Sequence, residues 1–65
     1  MNKPILIATD GRKNGLEVWA VYDPTVPVYE LFASEECLDY VGAVDTLEEC
    51  EPAAQAWFAE RASEQ

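Results

Sequence analysis

The chain has 65 residues, 49% apolar and 11% aromatic, and its 13 acidic residues against 4 basic ones give a formal charge of −9. A domain of this size buries only about 60% of the surface its unfolded chain exposes, which leaves room for one helix layer on one sheet and little for a deep catalytic cleft. The apolar and aromatic content argues against a disordered acidic tail, and the charge repels nucleic acid and anionic membranes while attracting basic partners.

The predicted elements run as follows. Pro4-Ile5-Leu6-Ile7-Ala8-Thr9 reads as a first strand. Asp10-Gly11 and Asn14-Gly15 punctuate the loop after it, since both dipeptides tolerate the positive φ of tight turns. Leu16 to Tyr22 alternates as a second strand, with Leu16, Val18, Ala20 and Tyr22 on one side and Glu17, Trp19 and Val21 on the other. Asp23-Pro24-Thr25 starts a turn. Val26 to Ala33 is a third strand. The alternation is expected to place Trp19, Val21, Tyr29 and Leu31 on one face, with Leu16, Val18, Val28 and Phe32 on the other.

A change of period then predicts a short helix. Ser34 suits its N-cap, Glu35 and Glu36 suit the positive end of its dipole, and Cys37, Leu38 and Val41 form an apolar stripe. Gly42 is placed to end it as a left-handed residue. A second helix follows. Thr46 and Glu49 match a capping box, and Pro52 fits the first residue of a helix reaching about Ala62, with Leu47 to Glu51 as a separate turn or kinked start. Ala54, Trp57, Phe58 and Arg61 follow the helical period, with Trp57 and Phe58 on the sheet. The expected architecture is one α+β domain over residues 1–65, a three-stranded antiparallel sheet followed by two helices packed on one face (β-β-β-α-α). The other sheet face is left as a contact surface for a partner or a second copy.

The residue types argue against catalysis. There is no histidine to serve as a base near neutral pH, and serine occurs only at Ser34 and Ser63. No Gly-rich phosphate loop is present. Cys37 and Cys50 lack a CxxC partner and a His, so they do not make a zinc site, and the acidic segment lacks the ligand spacing of a calcium loop. The expectation is no enzyme, no cofactor and no metal. Cys37 reads as a small buried residue on the first helix and Cys50 as one at the helix junction, and a disulfide between them is opposed by a reducing setting.

Glu35, Glu36, Asp39, Asp45, Glu48, Glu49 and Glu51 concentrate the charge in one segment, and no Lys or Arg lies between Asn14 and Glu60. Duplex DNA carries one charge per about 1.7 Å of axis, so an array of carboxylates can occupy a basic groove built for phosphates. These seven acids, with Trp19 and Tyr29, and less directly Arg12 and Lys13 of the hairpin loop, are the expected partner contacts. The expected partner is a basic protein surface such as a Cas or nuclease subunit, with no direct contact to nucleic acid or membrane; an alternative is a small housekeeping domain whose charge serves only solubility. The chain is read as either a monomer or a homodimer.

In size, acidity, aromatic content and lack of catalytic residues the chain resembles the small phage-encoded inhibitors of bacterial defence, the anti-CRISPR proteins and anti-restriction DNA mimics. That resemblance covers the whole chain in character. No motif defines the group, so it carries over no residue. It implies a stoichiometric inhibitor that blocks its target by contact. A local resemblance implies an alternative: Asp45-Thr46-Leu47-Glu48-Glu49 is similar to the run that opens the helix after a three-stranded sheet in HicB-type antitoxins, which implies a dimerising regulatory module. Cys50 and Pro52 depart from that pattern. No apolar run approaches the about 18 residues of a membrane helix, and no secretory signal is apparent at the N-terminus, so a cytoplasmic setting is expected, that of the host cell if the protein is phage-encoded.

Overall fold

Each strand pairs with its neighbour in sequence, because the connections between them are short. The structure, a computed structural model, describes residues 3–10 and 15–63. Within them β1 (Ile5–Thr9), β2 (Glu17–Asp23), β3 (Val28–Phe32) and β4 (Tyr40–Val44) form one antiparallel sheet in the order β1-β2-β3-β4. A 3₁₀ turn over Leu47–Glu49 then leads into one helix, α1 (Cys50–Ser63). The expected loop residues Gly11 to Asn14, including Arg12 and Lys13, lie outside the described residues. Gly15 has φ of 60°, in line with the turn role expected of it.

The β-β-β-α-α architecture is corrected to four strands followed by one helix. The segment expected to be the first helix is a turn and the strand β4. The turn starts as a helix would, with the Cys37 N–H donating to the Ser34 carbonyl at 3.0 Å. Cys37 then adopts φ of 60°. That left-handed conformation cannot propagate a right-handed helix. Ser34 does act as a cap, but for a loop: its Oγ accepts the Leu38 N–H at 3.3 Å, and the Ala33 N–H donates to the Asp39 carbonyl at 2.8 Å. Leu38 is 78% exposed, so the predicted apolar stripe does not exist as a face. A two-turn helix has little stability of its own, because nucleation costs more than so few bonds return. Tyr40 to Val44, rich in aromatic and β-branched residues, instead completes a ladder with β3. Gly42 is therefore a strand residue opposite Leu31, not a helix terminus.

The register also corrects the expected faces. Residues directly opposite in an antiparallel ladder share a face. Trp19 pairs with Phe32, and Ala20 with Leu31. Val18, Ala20, Tyr29 and Leu31 therefore turn toward α1, while Trp19, Val21, Val28, Glu30 and Phe32 turn away from it. Alternation holds within β2 and β3, but the pairing between them joins the opposite halves.

The core lies between the sheet and α1. Val18, Ala20 and Leu31 meet Cys50, Ala54 and Phe58, which recur every fourth residue along the helix. Two β-bulges add to it. Ile7 is the extra residue of β1 and Val41 that of β4, so consecutive residues Ile7-Ala8 and Val41-Gly42 break the alternation, and Ile7, Ala8 and Val41 all pack on the core. Trp57 is half-buried against the core, with the Arg61 guanidinium 5.2 Å from its ring centroid. Pro52 is the third residue of α1, where a missing N–H is tolerated because the first-turn donors have no partner inside the helix.

Candidate protein-binding surfaces

The carboxylates form two groups rather than one patch. Glu35, Glu36 and Asp39 are exposed in the β3–β4 connection. Asp45, Glu48, Glu49 and Glu51 are exposed after β4, in the 3₁₀ turn and the start of α1. Because residues 40–44 are a strand, the two groups stand at opposite ends of the edge strand, whose five residues would span about 17 Å at roughly 3.4 Å per residue. A helix would have held the first group within a turn or two of itself and close to the second. Among the described residues, no three Cys, Asp or Glu side chains converge to hold a metal ion.

Glu49 has a structural task. Its Oε1 accepts the Thr46 backbone N–H at 3.1 Å and the Thr46 hydroxyl at 3.0 Å, so the predicted capping box forms at the entry to the 3₁₀ turn. Its negative charge also sits at the helix start, where the dipole favours it.

Trp19 and Tyr29, expected together on one face, lie on opposite ones. Tyr29 packs on the core side, its ring 4.9 Å from that of Tyr22. Trp19 lies on the face opposite α1, and its Nε1–H donates to Glu17 Oε1 at 2.7 Å. The register adds three residues that are absent from the contact expected from sequence. Leu6 pairs with Trp19, Trp19 with Phe32, and Phe32 with Tyr40, so one row of apolar side chains crosses all four strands. The Phe32 and Tyr40 rings meet edge-on at 5.7 Å. Glu17 and Glu30 share this face, on opposite sides of the row. Phe32 escapes sequence reasoning because its register partner is not legible there, and Tyr40 because it falls inside the expected helix. The β-favouring composition of Tyr40 to Val44 was the available signal.

Neither cysteine is in a disulfide. Cys50 is fully buried in the core, its Sγ 3.8 Å from the Thr46 carbonyl oxygen. Burial pushes its thiol pKa up and the neighbouring Glu49 carboxylate adds to the rise, which disfavours the reactive thiolate. The expected place of Cys37 on a helix is corrected: it is half-buried in the turn, its thiol pointing to the Glu35 carbonyl at 3.7 Å. Among the described residues no helix is long and apolar enough to cross a membrane. No protein-family model, curated protein or solved structure matches this chain.

Proposed function

We propose that this protein is a non-catalytic inhibitor that acts by direct contact with the basic surface of a nucleic-acid-binding protein, in the manner of the anti-CRISPR and DNA-mimic proteins. One observation carries this reading: exposed carboxylates stand at both ends of β4, within a stretch that contains no Lys or Arg from Asn14 to Glu60. Like charges oppose folding, and a basic partner offsets that repulsion and speeds encounter. The test is displacement of labelled duplex DNA from purified Cas and nuclease subunits over a range of salt. Displacement should weaken as salt rises and vanish with Glu35→Lys, Glu36→Lys and Glu48→Lys combined. These positions spare Glu49 and its cap. Undiminished displacement by the triple variant would show that charge mimicry is wrong.

A second reading, a dimerising regulatory module of antitoxin type, is supported by the apolar row on the sheet face opposite α1. The formal charge of −9 on each copy opposes it.

A further inference from the structure

The row Leu6, Trp19, Phe32 and Tyr40 takes one side chain from each strand on the sheet face opposite α1. Leu6 is 46% and Tyr40 62% exposed, so the row is open to solvent along both edges of the sheet. Contiguous apolar surface of this kind on a small chain marks a contact site, and aromatic residues at its centre are what partner surfaces bind most strongly. The rim is acidic: Glu17 lies on one side of the row and Glu30 on the other.

We propose that this row is the centre of the contact surface, and that its occupant is an arginine-bearing segment of the basic partner, with guanidinium groups stacked on Trp19, Phe32 and Tyr40 and paired with Glu17 and Glu30. The inference rests on the reading above that the partner is basic. Charge selects this occupant over a second copy, which would set −9 against −9 and bring Glu17 and Glu30 near their own images. Chemistry selects arginine over lysine, because the planar guanidinium is weakly hydrated and stacks on aromatic faces while its N–H fork meets carboxylates. The same pairing occurs within the chain, where Arg61 lies over Trp57. The 2.7 Å bond from Trp19 Nε1–H to Glu17 Oε1 orients the indole across the face and fixes a carboxylate at its edge.

The test titrates the protein with oligo-arginine and oligo-lysine peptides of equal length, by calorimetry on the native chain and by Trp19 fluorescence in a Trp57→Phe background. Oligo-arginine should bind more tightly than oligo-lysine and change Trp19 emission. Tyr40→Ala, at an exposed site and checked by circular dichroism to be folded, should weaken oligo-arginine binding roughly fivefold and oligo-lysine binding little. Leu6→Ser serves as a second variant of the row. If Tyr40→Ala and Trp19→Ala, both folded, bind oligo-arginine as the native chain does, the row is not the contact. Loss of binding in Glu35→Lys/Glu36→Lys/Glu48→Lys would then leave the acidic-contact reading standing without it. Native binding by that triple variant would sink the reading that the acids at the ends of β4 carry the contact, and would leave the row with Glu17 and Glu30 to be decided by Tyr40→Ala and Trp19→Ala. Self-association in sedimentation that Trp19→Glu abolishes would show that a second copy covers the row and would overturn the proposal.

Discussion

Trp19 and Phe32 are direct partners across the β2–β3 ladder, on the face of the sheet that α1 does not cover. The next pair, Ala20 and Leu31, points the other way and is almost completely buried. Neighbouring pairs should therefore respond very differently to truncation. Leu31→Ala should cost about 2–5 kcal/mol through lost burial and a cavity. Phe32→Ser should cost about 1 kcal/mol, the scale of a cross-strand contact. A domain of this length has roughly 3–10 kcal/mol in total, so urea melts should show Leu31→Ala at or near collapse and Phe32→Ser with a clear transition. Equal losses would mean that the faces are assigned the wrong way round.

Cys37 holds φ of 60° in the β3–β4 turn, a conformation that side chains with a Cβ adopt at a cost. Glycine has no such cost, so Cys37→Gly should raise stability by about 1 kcal/mol. Thermal and urea midpoints check this. A fall in both would show that the cysteine side chain contributes more than its backbone conformation costs.

Both Thr46 donors, the backbone N–H and the hydroxyl, meet one oxygen of Glu49. Glu49→Ala removes both bonds and should cost about 1 kcal/mol, while Thr46→Ala removes only the hydroxyl bond and should cost less. In a double-mutant cycle the two losses should fall short of additive. Full additivity would separate the two residues energetically.

The raised thiol pKa of Cys50 gives stability a pH dependence of known sign. Above about pH 8.5, the ordinary cysteine value, the unfolded thiol loses its proton while the folded one keeps it. The unfolded state then binds fewer protons, and stability falls as pH rises through that window until the folded thiol also ionises. Urea melts of the native chain should weaken from neutral to alkaline pH, and those of Cys50→Ala should weaken less. At neutral pH a thiol reagent should modify half-buried Cys37 promptly and Cys50 only as fast as the chain unfolds. Two thiols reacting together in the folded protein would contradict the burial of Cys50.

The paired Glu-Glu-Cys sequences show how far local reading carries. At Glu48-Glu49-Cys50 the capping signal, the acidic start and the helical period that follows agree, and the chain there folds as they direct. At Glu35-Glu36-Cys37 a similar start leads nowhere, because the next residues find a better partner in β3 than in one another. The three earlier strands were legible from alternation and turn residues, with ends shifted by a residue or two. The seven carboxylates were legible as a charged segment, but their division into two groups depends on residues 40–44 being a strand.

The sequence by itself determined the acidic excess, the absence of histidine, three strands and the final capped helix, because those follow from residue type and local spacing. Tertiary structure alone decided the fourth strand, the register and the face on which each aromatic residue stands. Alternation has a period of two and says which residues of one strand go together, but not which half of the next strand joins them. That choice is made by hydrogen-bonded pairing across the sheet and by the bulges at Ile7 and Val41, and it turns separate apolar residues into the row from Leu6 to Tyr40.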